Sequence, residues 1–212
     1  PLNKKKLKRI LVTGPLADES NYMVSRYGPN ALPPTTILQG IRNYVGKDIE
    51  ITYSKGCDIV DREWPDSELF NSPLTSDEQY MINEAVEKAK ENDMIIIALG
   101  EDEKRTGESR SRTSLELPGR QQQLLEALYS TGTPIVLVLI NGQPLTINWA
   151  DRHIPAILEC WFPSVQGGSA IAETLFGEYN PGGKLTVTFP KSTGQIEYNF
   201  PFKKGSHGSQ PG

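Results

Sequence analysis

Residues 94 to 100 read "MIIIALG", and residues 134 to 140 read "PIVLVLI". Each run has the length of a β-strand and is apolar at consecutive positions, not only at alternate ones. A strand that is apolar on both faces is buried on both faces, as in a parallel sheet covered by helices on each side. The two runs therefore predict buried strands of an α/β protein.

The remaining predicted elements alternate between strand and helix along the chain. Three further strand-length runs lie at residues 9 to 13, 49 to 54 and 156 to 161. Four helix candidates lie between the runs, at residues 35 to 45, 75 to 92, 119 to 132 and 167 to 177. Alternation of strand and helix predicts a doubly wound, mostly parallel sheet with helices on both faces, a flavodoxin-like α/β sandwich. We assign residues 1–202 to this domain and expect the Gly/Ser/Pro-rich residues 203–212 to be a disordered tail.

The net charge and the length of the apolar runs limit the kinds of partner that the chain is expected to bind. The 212 residues carry a net charge of -4, without the basic excess that binds phosphate backbones, so no nucleic-acid partner is expected. The apolar runs fall far short of the ~20 residues of a membrane span, so no membrane partner is expected either.

A start without methionine suggests a processed or excised piece of a longer protein. Cys57 and Cys160 are too few for a disulfide scaffold and lack metal-ligand spacing, so we predict two unpaired thiols, no metal and no cofactor.

The residues that follow each predicted strand are small or polar. In a parallel sheet, ligands bind in the crevice outside the carboxyl ends of the strands. The third of these segments, "GEDEKRTGESRSR" at residues 100–112, is the longest and most highly charged. Its position and its composition both indicate a functional loop.

Glu108 is the candidate catalytic residue of this loop. It lies between Gly107 and small or basic residues, so its carboxyl group could project into a cleft and give a proton to a leaving oxygen, as glycoside hydrolysis requires. The same composition also fits a solvated patch of ion pairs, which are common on protein surfaces. Both interpretations stay open at this point.

The sequence lacks the motifs of nucleotide-binding sites and of serine nucleophiles. The segment after the first strand, "GPLADES", contains neither G-x-G-x-x-G nor a P-loop pattern, which argues against dinucleotide binding. No G-x-S-x-G elbow occurs. His153 lies in a polar connector and His207 in the tail, so both are expected to be solvated.

The order of several short motifs resembles glycoside hydrolase family 3 over roughly residues 8 to 202. The motifs are "GPLAD" at 14–18, "GESRSR" at 107–112, "LELPGRQ" at 115–121 and "NPGGKL" at 180–185, followed by "TFP". The last is the most specific, and "GPLAD" alone would be weak.

The resemblance implies the second domain of a β-glucosidase-like enzyme, an α/β sandwich that follows a barrel domain carrying an aspartate nucleophile. It places the general acid/base role on Glu108, through the spacing E-x-x-S-R, and makes Glu101 a structural residue. Arg110 and Arg112 are expected to form ion pairs within the loop. It also implies an oligosaccharide substrate, the protein's own N-terminal barrel domain as partner, and a periplasmic or secreted location. Substrate-binding residues are not assigned.

The expected function is hydrolysis of terminal β-linked sugars by a retaining β-glycosidase, with β-glucosidase as the leading specificity. The isolated chain is expected to be inactive without the barrel. Alternatives are a β-xylosidase or other exo-glycosidase of the same family, a non-catalytic sugar-binding or structural module, and a flavodoxin-like small-molecule binder.

Overall fold

The computed structural model describes residues 1–29 and 32–195. The described residues form one five-stranded sheet in which every strand pairs in parallel, in the order β2-β1-β3-β4-β5. The strands are β1 Arg9–Thr13, β2 Glu50–Ser54, β3 Met94–Gly100, β4 Ile135–Ile140 and β5 Ile157–Glu159. The helices are α1 Ile37–Val45, α2 Ser76–Lys90, α3 Gln121–Tyr129, α4 Asn148–His153 and α5 Gly167–Phe176. The predicted doubly wound α/β sandwich is confirmed.

Side chains of successive strand residues enter two separate apolar layers. Ile96 and Ala98 of β3 pack with α1 and α5, whereas Ile95 and Ile97 pack with α2, α3 and α4. All four are fully buried. Helices therefore cover both faces of the sheet. This burial on both faces explains why β3 is apolar at consecutive positions, as inferred from the sequence.

Two helices begin with the same local device. Thr36 before α1 and Thr75 before α2 each accept a hydrogen bond from the backbone three residues later, and the side chain of that later residue, Gln39 or Glu78, accepts one from the threonine N–H. This capping box satisfies otherwise unpaired N–H groups at a helix start. The helix predicted from residue 75 begins at Ser76, with Thr75 as its cap.

The structure corrects two of the predicted elements. The strand predicted at residues 156 to 161 is limited to Ile157–Glu159, since Trp161 takes a φ of +50° and leaves the extended conformation. Residues 148–153, read from sequence as a polar connector, form the short helix α4, which buries Ala150. The tail predicted at residues 203–212 lies outside the described residues.

Candidate active site

The two loops that carry the candidate site meet where the winding of the sheet reverses. Strand order places β1 beside β3, so that the chain turns to opposite sides of the sheet on the two sides of this pair. Such a switch point opens a crevice at the carboxyl ends of the strands. From the loop after β1, the Tyr27 hydroxyl donates a hydrogen bond to Glu108 Oε2 over 3.1 Å. Arg26 donates to the carbonyl oxygens of Glu103, at 3.3 Å, and Glu108, at 3.5 Å.

Glu108 lies on an exposed tip, which comprises residues 107–111. Its neighbour Ser109 has a φ of +59°, in the left-handed region that side chains other than glycine seldom adopt. The tip therefore bends sharply, and the Glu108 carboxyl group is exposed while Tyr27 holds one of its oxygens.

Glu101 is held beneath the tip, at the end of β3. It follows Gly100, where the φ of +137° and a Cβ position only 1.9 Å from the Ile140 carbonyl oxygen require glycine. The fully buried Glu101 carboxylate is paired with Arg112 and accepts a hydrogen bond from the Gln143 amide over 3.0 Å. These contacts support the structural role expected of Glu101.

The interpretation of the loop as a solvated charge patch fits its exposed residues, Lys104 and the tip, but not its base. Glu108 and Arg110 are exposed. Asp102 is 1% exposed and pairs with Arg105, whose guanidinium lies 4.9 Å from the centre of the Trp64 ring. The Arg112 side chain is 2% exposed. A buried charge is costly unless it is paired. The buried side chains of Asp102 and Arg112 are both paired, and their ion pairs form the base of the loop.

Sequence reasoning missed Glu68, which the structure brings to this site. It lies in a 3-10 turn, Asp66–Glu68, within the long segment between β2 and α2. Arg112 donates to its Oε1 from Nε over 2.9 Å and from Nη2 over 2.6 Å, and Thr113 donates to its Oε2 over 2.6 Å. Burial raises the pKa of Glu68, but the Thr113 hydrogen bond and the Arg112 charge outweigh it and hold the pKa below its usual value. The only sequence signal was the length of the segment, since loops beyond about 12 residues are often functional.

A further carboxyl group, that of Glu159, ends β5. It accepts a hydrogen bond from the Trp161 backbone N–H over 2.8 Å. Burial raises the pKa of Glu159 to about 7, against the lowering effects of that bond and of the Asn141 side chain. Trp161 packs against Phe189 with ring centres 5.9 Å apart, and the half-buried Phe162 packs on the core beside α1 and α5.

The remaining candidates do not join the site. His153 is exposed at the end of α4 and stacks on Trp149, with ring centres 4.4 Å apart, and His207 lies outside the described residues. Cys57 and Cys160 are free, as predicted. Among residues 1–29 and 32–195, no three His, Cys, Asp or Glu side chains are grouped to hold a metal ion. The described helices reach at most 15 residues, and none is long and apolar enough to cross a membrane.

Fold and site together define an α/β sandwich domain with an exposed carboxyl group, that of Glu108, on a loop at its switch point. Sequence comparison identifies the family: residues 1–210 match the glycosyl hydrolase family 3 C-terminal domain. The chain belongs to this family.

Its relatives carry two kinds of name. A periplasmic β-glucosidase of Salmonella typhimurium is 42% identical over 199 residues, and a β-xylosidase of Formosa agariphila is 37% identical over 206 residues. The matches cover 91% and 94% of this chain but only 26% of either relative. The structure of a β-glucosidase from Erythrobacter marinus is similar with a TM-score of 0.78 and 34% identity, covering 92% of this chain and 28% of that one.

Proposed function

We propose that this chain is the α/β sandwich domain of a retaining β-glycosidase, of β-glucosidase specificity, in which Glu108 is the general acid/base. The observation that carries the proposal is the placement of the Glu108 carboxyl group on an exposed tip at the switch point of the sheet, held through Oε2 by Tyr27. A retaining enzyme needs one carboxyl group that protonates the leaving oxygen and later activates water.

The second carboxyl group, the nucleophile, comes from an N-terminal barrel domain in this proposal. The relatives are about four times as long as the part that matches, which leaves room for such a domain. The substrate is then an oligosaccharide with a terminal β-linked sugar, bound between the two domains. The periplasmic name of one relative favours a periplasmic or secreted protein.

A β-xylosidase is the second candidate, because the relatives include a β-xylosidase at 37% identity. Comparing kcat/KM for nitrophenyl β-glucoside and nitrophenyl β-xyloside in the two-domain enzyme decides between them. The glucoside is expected to be the better substrate.

The test of the acid/base role is Glu108→Gln in the enzyme that joins this chain to its N-terminal domain. Loss of the transferable proton should lower turnover of natural disaccharides by about 10² to 10⁴-fold. Formation of the glycosyl-enzyme from a dinitrophenyl glucoside should be largely spared, because that leaving group needs no proton. Added azide, which needs no general base, should restore turnover and yield a β-glycosyl azide.

Glu103→Gln is the matched control, since Glu103 lies in the same loop and its carboxylate is 3.9 Å from Arg26. Neither Glu103→Gln nor Glu101→Gln should be rescued by azide. Azide rescue of either control variant, or its failure with Glu108→Gln, would assign the proton to another group.

A further inference from the structure

The middle of the long segment between β2 and α2, residues 58–74, packs against the loop that carries Glu108. Its Glu68 side chain is 6% exposed and accepts hydrogen bonds both from the segment itself and from the loop. Trp64 of the same segment donates to Oε1 over 3.1 Å, and Arg112 and Thr113 donate from the loop. One buried carboxylate thus joins the segment to the residues that follow the tip.

Arg112 divides its guanidinium between two carboxylates. Nη1 faces Glu101 at the end of β3, while Nε and Nη2 face Glu68, and Nη2 also donates to the Glu116 carbonyl over 3.1 Å. The planar guanidinium fixes the directions of its donors, so these contacts determine where the loop leaves the base of the site. A lysine, with a point charge on a flexible stem, cannot reproduce them.

The residues that precede the tip are held by contacts within the loop and by one contact with the same segment. Thr106 is 5% exposed and donates to the Asp102 carbonyl over 3.3 Å. Arg105 pairs with Asp102 and lies over the ring of Trp64. The segment therefore contacts the loop on both sides of the tip, and Glu108 lies between Thr106 and Arg112.

We propose that Glu68 and Arg112 are positioning residues that set the location of the Glu108 carboxyl group, and that this is what residues 58–74 contribute to the enzyme. The proposal rests on the acid/base role proposed for Glu108. Two buried carboxylates share one guanidinium, and buried ion pairs are often no more stabilising than apolar packing, so stability alone is a weak reason for the cluster. Placement is a better reason, because small displacements of a catalytic group lower rates steeply.

The test uses Arg112→Lys and Glu68→Gln in the two-domain enzyme, with kcat/KM measured over aryl β-glucosides of graded leaving-group pKa. A displaced general acid should affect only substrates that need protonation. We expect both variants to lose about 10²-fold on poor leaving groups while dinitrophenyl glucoside stays within a few-fold of the parent. That substrate also reports whether the site is folded.

Arg120→Lys is the matched control. Arg120 is also buried, with a side chain 7% exposed, and it pairs with Glu78 and donates to Ser72 and Pro73 at the far end of the same segment. Because Arg120 does not anchor the tip, its variant should change kcat/KM by a similar factor for all leaving groups.

The outcomes separate this inference from the proposed function. An equal loss on all leaving groups, or no loss, in Arg112→Lys and Glu68→Gln would overturn the positioning role while Glu108→Gln still shows azide rescue. Failure of Glu108→Gln itself would overturn the acid/base role. If Arg112→Lys does not fold, Thr113→Val decides: this exposed residue gives only its hydroxyl to Glu68, and the same leaving-group dependence at smaller size is expected, whereas a uniform change would contradict the proposal.

Discussion

Glu159 shows how the end of a strand can couple stability to pH. Its folded pKa is raised to about 7 by burial, above the ordinary range of a glutamate. The folded state therefore keeps a proton that the unfolded chain releases. Between roughly pH 4.5 and 7 the folded chain binds more protons than the unfolded chain, so the free energy of unfolding falls as pH rises through this window.

Glu159→Gln should remove this dependence. The amide cannot ionise, so relative to the parent the variant gains stability on going from pH 5 to pH 8, by about 1 to 3 kcal/mol after allowing for partial exposure. Urea unfolding of the chain and the variant at both values of pH measures the difference. Parallel stability curves for the two proteins would show that Glu159 titrates normally.

The two thiols should be present but protected. Burial raises the pKa of Cys160 to about 12 and that of Cys57 further, so little thiolate forms at pH 8. We expect slow reaction of the native chain with Ellman's reagent and two reactive groups per chain once it is unfolded without reductant. No reactive group in the unfolded chain would reveal a disulfide instead.

The sequence identified Glu108 as a candidate and Arg112 as a residue that forms ion pairs, but it did not identify Glu68. Glu108 stands out because of its loop and the E-x-x-S-R spacing. Glu68 does not, because it lies 44 residues from Arg112, the partner with which folding pairs it. Burial of a charged residue depends on the partner that folding brings to it, and single-sequence patterns contain no record of that pairing.

Helices α1 and α5 pack against each other closely at two glycines. A Cβ on Gly40 would lie 2.0 Å from the Gly168 carbonyl oxygen, and a Cβ on Gly168 would lie 2.0 Å from the Thr36 carbonyl oxygen. Both obstacles are backbone atoms, which cannot rotate away. The two helices can therefore pack at this distance only because neither position has a side chain.

Gly40→Ala should destabilise the chain although alanine favours helix by about 1 kcal/mol. Separating the helices strains the core on that face of the sheet, and overpacking of this kind costs about 1 to 3 kcal/mol. Gly182→Ala is the control, because nothing lies within 4 Å of its Cβ position. Denaturant unfolding should show a lower midpoint for Gly40→Ala alone; a stabilised Gly40→Ala would mean that the helices can move apart freely.

The elements predicted well are those with long apolar runs. Strands β1 and β3 have the predicted bounds because their residues are buried by neighbours on both faces. The shorter β5 and α4 were misjudged, since a three-residue strand and a six-residue helix contain too few residues for a period to be recognised. Their bounds depend on tertiary contacts, such as the backbone turn at Trp161.

Across the whole molecule, the alternation of strands and helices was enough to predict a sheet covered by helices on both faces. It was not enough to predict which loops come into contact. The order β2-β1-β3-β4-β5 brings the loop after β1 against the loop after β3, although Tyr27 and Glu108 are 81 residues apart. This topology places the charged loop at the switch point of the sheet. The opposite wall of the active site, in the proposed enzyme, belongs to the barrel domain.

The last prediction concerns that division of labour. A general acid without a nucleophile cannot form the covalent intermediate of a retaining glycosidase, so the 212-residue chain alone should not hydrolyse nitrophenyl β-glucoside above a buffer blank. Fusing the chain to the proposed N-terminal domain should produce turnover, and the same fusion with Glu108→Gln should lose it unless azide is added. Turnover by the purified chain alone, surviving a second purification and abolished by a substitution at Glu108, would show that both carboxyl groups lie within this domain and that the two-domain proposal is wrong.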